Sequence, residues 1–498
     1  MEKGISDKIA ISALIVFLGM IVSKILTYIY RLIVARYLGP EEYGTLNLSL
    51  TILFVFLSIA LIAHPSSIVR YVSFYKGKNE EEKIKGTITA GLKLNIITSV
   101  VIGIILFIGA NYISINIFHT DKLIPLLKLF AFLVPVISLG NIFQASIEGF
   151  QKVKYTTIIR NFSESSIQTI LTLVLLLLGL KIMGAALGYF VALTSSTILL
   201  FIILQKKVYP ILNKKIKSFE NYKELINYSM PLLLLSIINI IIEKLDILSI
   251  GYFLNLEKVG LYNAALPLAS LSQIIPVALT AIFMPVITEL YAKNNIDKIK
   301  ELYKKVSRWI FIVNIALVLM LIFFSDAVLN IFFGPLYIQA SQALIIIAIG
   351  YFVYYQTLGS HYILYMLGKT RLLMLNAIIV ALLNIILNII FIPKFGIVGA
   401  ATALAITYSL LGILQFIEVY LLIKANFLEL NYIKIIISII FAVTPLLLIK
   451  YFSNTFKIYL IIIYLIIFFM IYLIFLKLFK IIDKEDYYFV KRIILKKS

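Results

Sequence analysis

Cysteine is absent from this 498-residue chain, which excludes a disulfide framework, a Cys-based metal centre and a thiol redox site. Histidine occurs three times and tryptophan once, and three histidines make a zinc site improbable. Charge is scarce too. Asp, Glu, Lys and Arg make up 14% of the chain, against about a quarter in soluble domains. Acidic residues are the rarer sign, 24 against 45 basic, for a formal net charge of +21. No Ser, Cys or His nucleophile stands in a catalytic motif, and no G-x-x-x-x-G-K-[ST] phosphate loop is present. No enzyme activity and no cofactor are therefore expected.

What remains is apolar: 62% of residues are hydrophobic, more than a soluble fold could hide. A run of about 18 or more apolar residues is long enough to cross the hydrocarbon core as a helix, and such runs follow one another almost end to end. Strands of a membrane barrel would alternate apolar and polar residues. Stretches such as LTLVLLLLGL and IIIYLIIFFMIYLIFL are apolar on every side. The expected fold class is all-α, a polytopic membrane protein.

Spans are expected near 9–30, 45–64, 86–109, 123–144, 155–179 and 183–204, then 229–253, 260–283, 306–324, 340–363, 371–392 and 397–423, with a final pair near 433–451 and 457–478. Lys3 and Lys8 precede the first run as they would in a signal peptide, but no small-residue cleavage pattern follows, so an uncleaved first span is expected. Most of the Lys and Arg fall in alternate loops and both tails, as the positive-inside rule requires of about fourteen helices with both ends in the cytoplasm. That scatter over short turns also excludes a nucleic-acid patch.

A repeat underlies this count. Setting ARYLGPEEYGTLNLS, from Ala35, beside GYFLNLEKVGLYNAA, from Gly251, matches Leu38 with Leu254, Glu41 with Glu257, Gly44 with Gly260 and Asn47 with Asn263. IMGAALG from Ile182 and IVGAATA from Ile397 match at nearly the same interval. An even number of spans per repeat makes the repeats parallel, related by an axis along the membrane normal. The expected domains are a six-helix lobe with a basic linker at 1–215, a second six-helix lobe at 216–430, and two extra helices with a basic tail at 431–498. Pro231 would start the second lobe from a first-turn position, and the two lobes would enclose a cavity.

Ionisable groups inside spans are costly and normally face a cavity or a partner. Lys24, Tyr28 and Arg31 are spaced i, i+4, i+7 on one face of the first span. Arg31 and Arg36 could equally snorkel to the headgroups. In the seventh span Glu243 and Asp246 share a face, with Lys244 alongside. The repeat sets Arg31 opposite position 247, so an Arg31–Asp246 ion pair could close one end of the cavity. Arg160 and Glu164, at i, i+4 with Gln168 beyond, read either as cavity groups or as an intrahelical pair that eases insertion. Asn376, Asn384 and Asn388 form a stripe suited to interhelical hydrogen bonds or to sugar hydroxyls. Pro135, Pro267 and Pro276 each remove a backbone hydrogen bond and favour kinks.

At RLIVARYLGPEEYGTLNLS the chain resembles the polysaccharide flippase family, the O-antigen type translocases of the multidrug/oligosaccharidyl-lipid/polysaccharide exporter superfamily. The resemblance continues in EGFQKVKYTTIIRN, LDILSIGYFLNLEKVGLYNAAL, FGPLYIQASQAL and NIILNIIFIPKFGIVGAATA, nearly the whole chain. It implies two six-helix lobes around a cavity, often followed by two more helices. It also implies a polyprenyl-linked oligosaccharide as partner, moved to the outer leaflet of the cell membrane by a monomer. Lys24 and Arg31 would then attract the phosphate, with Arg70 and Arg160 as further basic candidates. Tyr28, Glu164, Glu243, Asp246 and the three asparagines would line or gate the cavity. Two alternatives stay open: a cation-coupled multidrug exporter using Glu243, Asp246 or Glu164 for sodium or a proton, and a lipid II type flippase. The coupling cation, if any, is not legible.

Overall fold

The computed structural model describes residues 2–213, 215–452 and 458–481, with side chains at Gly19, 22–213, 215–445 and 466–481. The side chains of Lys3 and Lys8 and the basic tail at 482–498 lie outside the described residues. Every regular element among those residues is helical, as it must be where hydrocarbon offers backbone groups no partner outside the segment.

Nine stretches are long and apolar enough to cross a bilayer. Two of them, Val22–Ala60 and Thr370–Ile423, each hold two helices, broken at Gly39 (φ 76°) and Gly396 (φ 59°). With the stretch at 153–177 and the last two apolar helices, the described residues form fourteen helices. They are α1 (2–38), α2 (40–77, interrupted at 61–64), α3 (Glu81–Ile117), α4 (Ile124–Gly149), α5 (153–177), α6 (Lys181–Val208), α7 (Tyr222–Phe253) and α8 (Leu256–Ala292). The rest are α9 (Ile296–Phe323), α10 (Pro335–Met366), α11 (370–395), α12 (397–423), α13 (Asn431–Phe452) and α14 (Ile458–Leu478). A short helix, Ser325–Phe332, joins α9 to α10.

The helices overrun the expected spans. The polar turn expected between the first two spans shrinks to Gly39, whose left-handed φ suits a residue without Cβ. Pro40 follows it at the start of α2, where its missing N–H is no loss. Pro231 does not start α7. The helix begins at Tyr222, capped by the Asn221 side chain accepting from Glu224 N, and carries Pro231 inside. Polar capping thus sets the start before the apolar run does. The other prolines sit at real interruptions: α4 is broken at Phe132 just before Pro135, and α8 tightens into a 3₁₀ turn at Ser270–Gln273 between Pro267 and Pro276.

The chain forms two compact units, Met1–Asn263 with Ile392–Ile397, and Ala264–Phe391 with Val398–Ser498. In the first, Ile68, Val72, Ile88, Ile142, Leu200 and Leu225 form a core joining α2, α3, α4, α6 and α7. The linker after α6 is strapped onto this core. Lys85 Nζ donates to Asn213 O at 2.6 Å and Ile216 O at 2.8 Å, and Lys93 pairs with Glu220 at 2.8 Å. Burial pushes the Glu220 carboxyl up, but hydrogen bonds from Lys93 and Tyr222 outweigh it and hold the group below the usual range.

In the second unit the terminal helices dock through tyrosines. Tyr472 Oη donates to Ile312 O at 3.0 Å, and Gln356 Nε2 donates to both Ser307 O and Tyr432 Oη at 3.1 Å. Tyr432 also meets the Phe311 ring edge-on at 4.6 Å. Helices α13 and α14 are therefore fastened to α9 and α10 by groups that hydrocarbon could not satisfy.

Candidate functional site

Helix α1 is apolar enough to span, yet it carries Lys24, Tyr28 and Arg31 on one face. Lys24 is exposed, while Tyr28 and Arg31 are partly buried. The chain neighbour of Arg31, Tyr30, and, past the turn at Gly39, Tyr43 are both buried. Lys244, on α7, is also partly buried and has Glu243 beside it. Helices α1 and α7 thus each carry a partly buried cation inside a spanning segment, and such a cation is stabilised by a nearby anion.

Among the described residues Arg31 does not pair with Asp246, the ion pair that the repeat suggested. Asp246 is 5% exposed and accepts from Tyr262 Oη at 3.0 Å. Its carboxylate is instead engaged by a tyrosine on α8.

The repeat does find a contact at the starts of α2 and α8. A Cβ on Gly44 would stand 1.8 Å from Leu256 O, and one on Gly260 would stand 1.8 Å from Pro40 O. These two glycines are partners in the repeat, so the crossing is symmetric, backbone against backbone. Nearby, Lys122 closes on Glu41 at 2.5 Å across an exposed rim.

A second polar group lies between α4 and α5, where α5 widens into π-helical turns at Ile158–Glu164, a feature frequent at functional sites. Arg160 donates to Glu164 at 2.8 Å, to Gln144 at 3.0 Å and to Asn141 at 3.3 Å, and Gln144 in turn donates to Glu148 at 2.9 Å. Three of the five N–H donors of Arg160 are thereby bonded, one of them to a carboxylate. Arg70 is exposed at the far end of α2, 4.2 Å above the Tyr228 ring and 5.6 Å from that of Tyr71, while Tyr75 donates to Glu224 at 2.9 Å. Among the described residues neither arginine has a hydrogen bond to Arg31.

In the second unit the asparagine stripe is buried and joins α11 to α12. Asn376 donates to Glu418 at 2.9 Å, Asn384 to Thr407 at 3.4 Å, and Asn388 to Asn384 at 3.0 Å. The first two are interhelical hydrogen bonds, and the third runs along α11. Among the described residues no group of three His, Asp or Glu side chains is placed to hold a metal ion.

Lys244 carries more weight than its place beside Glu243 suggested, and Tyr262, Asn141, Gln144 and Glu418 were not singled out. Asn141, Gln144 and Glu148 share a face at i, i+3, i+7, a signal the sequence did hold. Tyr262 and Glu418 carried none, because each is defined by a partner on another helix.

A multi-pass helical bundle whose spans bury cations, carboxylates and amides is the build of a membrane transporter. The family model described as polysaccharide biosynthesis protein matches residues 9–291, and the MatE model matches 231–390. The chain belongs to the polysaccharide biosynthesis protein family. It is 25% identical to an uncharacterized membrane protein of Methanocaldococcus jannaschii over 85% of this chain and 86% of that one. It is 29% identical to the "Probable low-salt glycan biosynthesis flippase Agl15" of Haloferax volcanii, over 40% of this chain and 42% of that protein. Its fold is that of the lipid II flippase MurJ in an inward closed conformation, with a TM-score of 0.76 at 19% identity over 94% and 98% of the two chains.

Proposed function

We propose that this protein is a flippase that carries an oligosaccharide, linked through phosphate or diphosphate to a polyprenol, from the cytoplasmic to the outer leaflet of the cell membrane. The observation that supports the reading is the partly buried placement of Arg31 on α1 and Lys244 on α7, both inside spanning segments, with Lys24 two turns away on the same face as Arg31. These cations attract the phosphate, and Tyr28 and Glu243 supply polar contacts to the sugars. The family match supports the substrate class. Arg70 and Arg160 act outside this first contact, Arg160 as part of the α4–α5 network and Arg70 at the cytoplasmic approach.

In this reading the lobes are 1–215 and 216–430, with 431–498 an added pair, both termini are cytoplasmic, and the chain works as a monomer that translocates without chemical conversion. Alternating access by rocking of the repeats is the mechanism. An anion leaving the negative interior gains about 2.3 kcal/mol per charge per 100 mV, so outward movement of a diphosphate needs no nucleotide. A second reading, a cation-coupled exporter of small molecules with Glu164, Glu243 or Asp246 as the ion site, is favoured by the MatE match at 231–390. Binding of a fluorescent polyprenyl diphosphate by the purified protein decides between them. Arg31→Ala and Lys244→Ala should each weaken it about 10-fold or more, the scale of a charge-assisted contact. Unchanged affinity in both variants, or binding of drug cations alone, would reject the flippase reading.

A further inference from the structure

In the second unit four tyrosines gather where α10 meets α12. Tyr408, on α12, meets Tyr351 at 5.3 Å and Tyr354 at 5.1 Å, both edge-on, while Tyr355 packs at a tilt on Tyr351 at 5.6 Å and on Tyr354 at 5.2 Å. An edge-on contact covers one face of one ring, whereas a stacked pair covers two. Tyr355 is buried, and its Oη donates at 3.2 Å to Oε1 of Gln273 in the 3₁₀ turn of α8. The other three rings and Gln273 are partly exposed. That exposure is not to lipid. Ile349, Ile406 and Ile413 are 45%, 41% and 45% exposed and mark the aliphatic faces of α10 and α12. Tyr351, Tyr408 and Gln415 each follow one of these isoleucines by two residues, about 200° around the helix, and Tyr354 follows Ile349 at about 140°. Gln415 is 2% exposed, with Nε2 3.4 Å from His361 Nδ1, and its buried Oε1 accepts no hydrogen bond among the described residues.

We propose that Tyr351, Tyr354, Tyr408, Gln273 and Gln415 form a platform that holds the sugar rings of the lipid-linked substrate. The inference rests on the flippase reading and adds a glycan contact to it. A pyranose has C–H-rich faces that lie flat on aromatic rings, and its rim of hydroxyls both donates and accepts, as phenols do. The Gln273 amide brings two N–H donors, and Gln415 brings a buried acceptor that a sugar hydroxyl would satisfy. Neither α10 nor α12 contains a lysine or arginine, so neither supplies a charge for the phosphate. Hydrocarbon in the same place would leave phenols and amides unpaired. An organic cation also suits tyrosine faces, but the one carboxylate of these two helices, Glu418, already accepts from Asn376. It also lies about 15 Å along α12 from Tyr408. A neutral, hydroxyl-rich ring is the better match.

The test measures binding of geranylgeranyl diphosphate to the full chain in nanodiscs, first bare and then carrying a disaccharide of glucose, galactose, mannose or N-acetylglucosamine. At least one disaccharide should tighten binding about fivefold or more, the scale of a hydrogen bond added to a ring contact. Tyr354→Leu, Tyr408→Leu and the milder Gln273→Leu are then compared, keeping those with wild-type melting behaviour. Each should shrink the gain from the sugar and leave affinity for the bare lipid unchanged, whereas Tyr354→Phe, which keeps the ring, should lose less than Tyr354→Leu. No gain from any disaccharide, a gain undiminished in every variant that folds, or equal weakening of the bare lipid would overturn the platform. So would loss of tetraphenylphosphonium binding in the same variants with the sugar gain intact, which would assign the rings to a cation. Wild-type protein that binds the bare lipid without a sugar gain removes the platform alone. Failure to bind any of the lipid diphosphates removes the flippase reading beneath it.

Discussion

Replacing Gly44 with alanine places a methyl group 1.8 Å from Leu256 O and 2.7 Å from Gly260 N. Ordinary non-bonded contact is about 3.5–4 Å, and the obstructing atoms are backbone, so α2 and α8 must separate at their starts by roughly 1.5–2 Å. Overpacking of this kind costs about 1–3 kcal/mol, which shifts a two-state balance about 5- to 150-fold against the conformer that contains the contact. Gly260→Ala should do the same, since its methyl would meet Pro40 O at 1.8 Å. Because both changes break one contact, the double variant should fall well short of the summed effects. The chain has no cysteine, so spin labels at Tyr37→Cys and Asn255→Cys need no background substitutions. Both positions are exposed and flank the crossing. Pulsed electron–electron resonance should give one short distance for the parent and a longer, broader population for either alanine variant. A distance distribution unchanged in both single variants would refute the idea that this backbone contact sets the spacing of α2 and α8 at their starts.

Removing Glu164 leaves the partly buried Arg160 with only its two amide partners, so Glu164→Leu should lower stability by about 1–3 kcal/mol, read as a fall in melting temperature in detergent, while Arg160→Met with Glu164→Leu recovers much of it. Tyr472→Phe deletes the bond to Ile312 O and should loosen α14 by about 1 kcal/mol, seen as faster hydrogen exchange across 466–478. The Glu220 strap depends on pH. Its carboxyl is held below the usual range in the fold, so its stabilisation is complete above the ordinary carboxylate pKa and is lost as pH falls through the lower folded value. Proteolysis of the 209–221 linker should therefore rise on acidification, and Glu220→Gln should abolish that dependence.

Much of the fold was legible because spanning helices announce themselves by apolar length, and their number was fixed by where Lys and Arg recur. Helix ends were less so. Asn221 starts α7 well before the apolar run, and Gly39 alone separates α1 from α2, since helices continue through polar interfaces wherever backbone groups stay satisfied. The matched glycines at 44 and 260 were visible as a repeat, but only coordinates reveal that they touch. Side-chain pairing across helices was the least legible. Asp246 accepts from Tyr262 on α8, a partner that an offset alignment cannot show. The Arg160–Glu164 spacing was readable from i, i+4 geometry, whereas the partners on α4 required the packing.

The central claim is tested most directly by reconstituting the purified protein in liposomes loaded with a fluorescent polyprenyl-diphosphate oligosaccharide and following its exposure to an external quencher. Exposure accelerated by wild-type protein, hastened further by an inside-negative potential and lost in the Arg31→Ala, Lys244→Ala double variant is the predicted result. Exposure no faster than in protein-free liposomes, or equally fast with both cations removed, would contradict it.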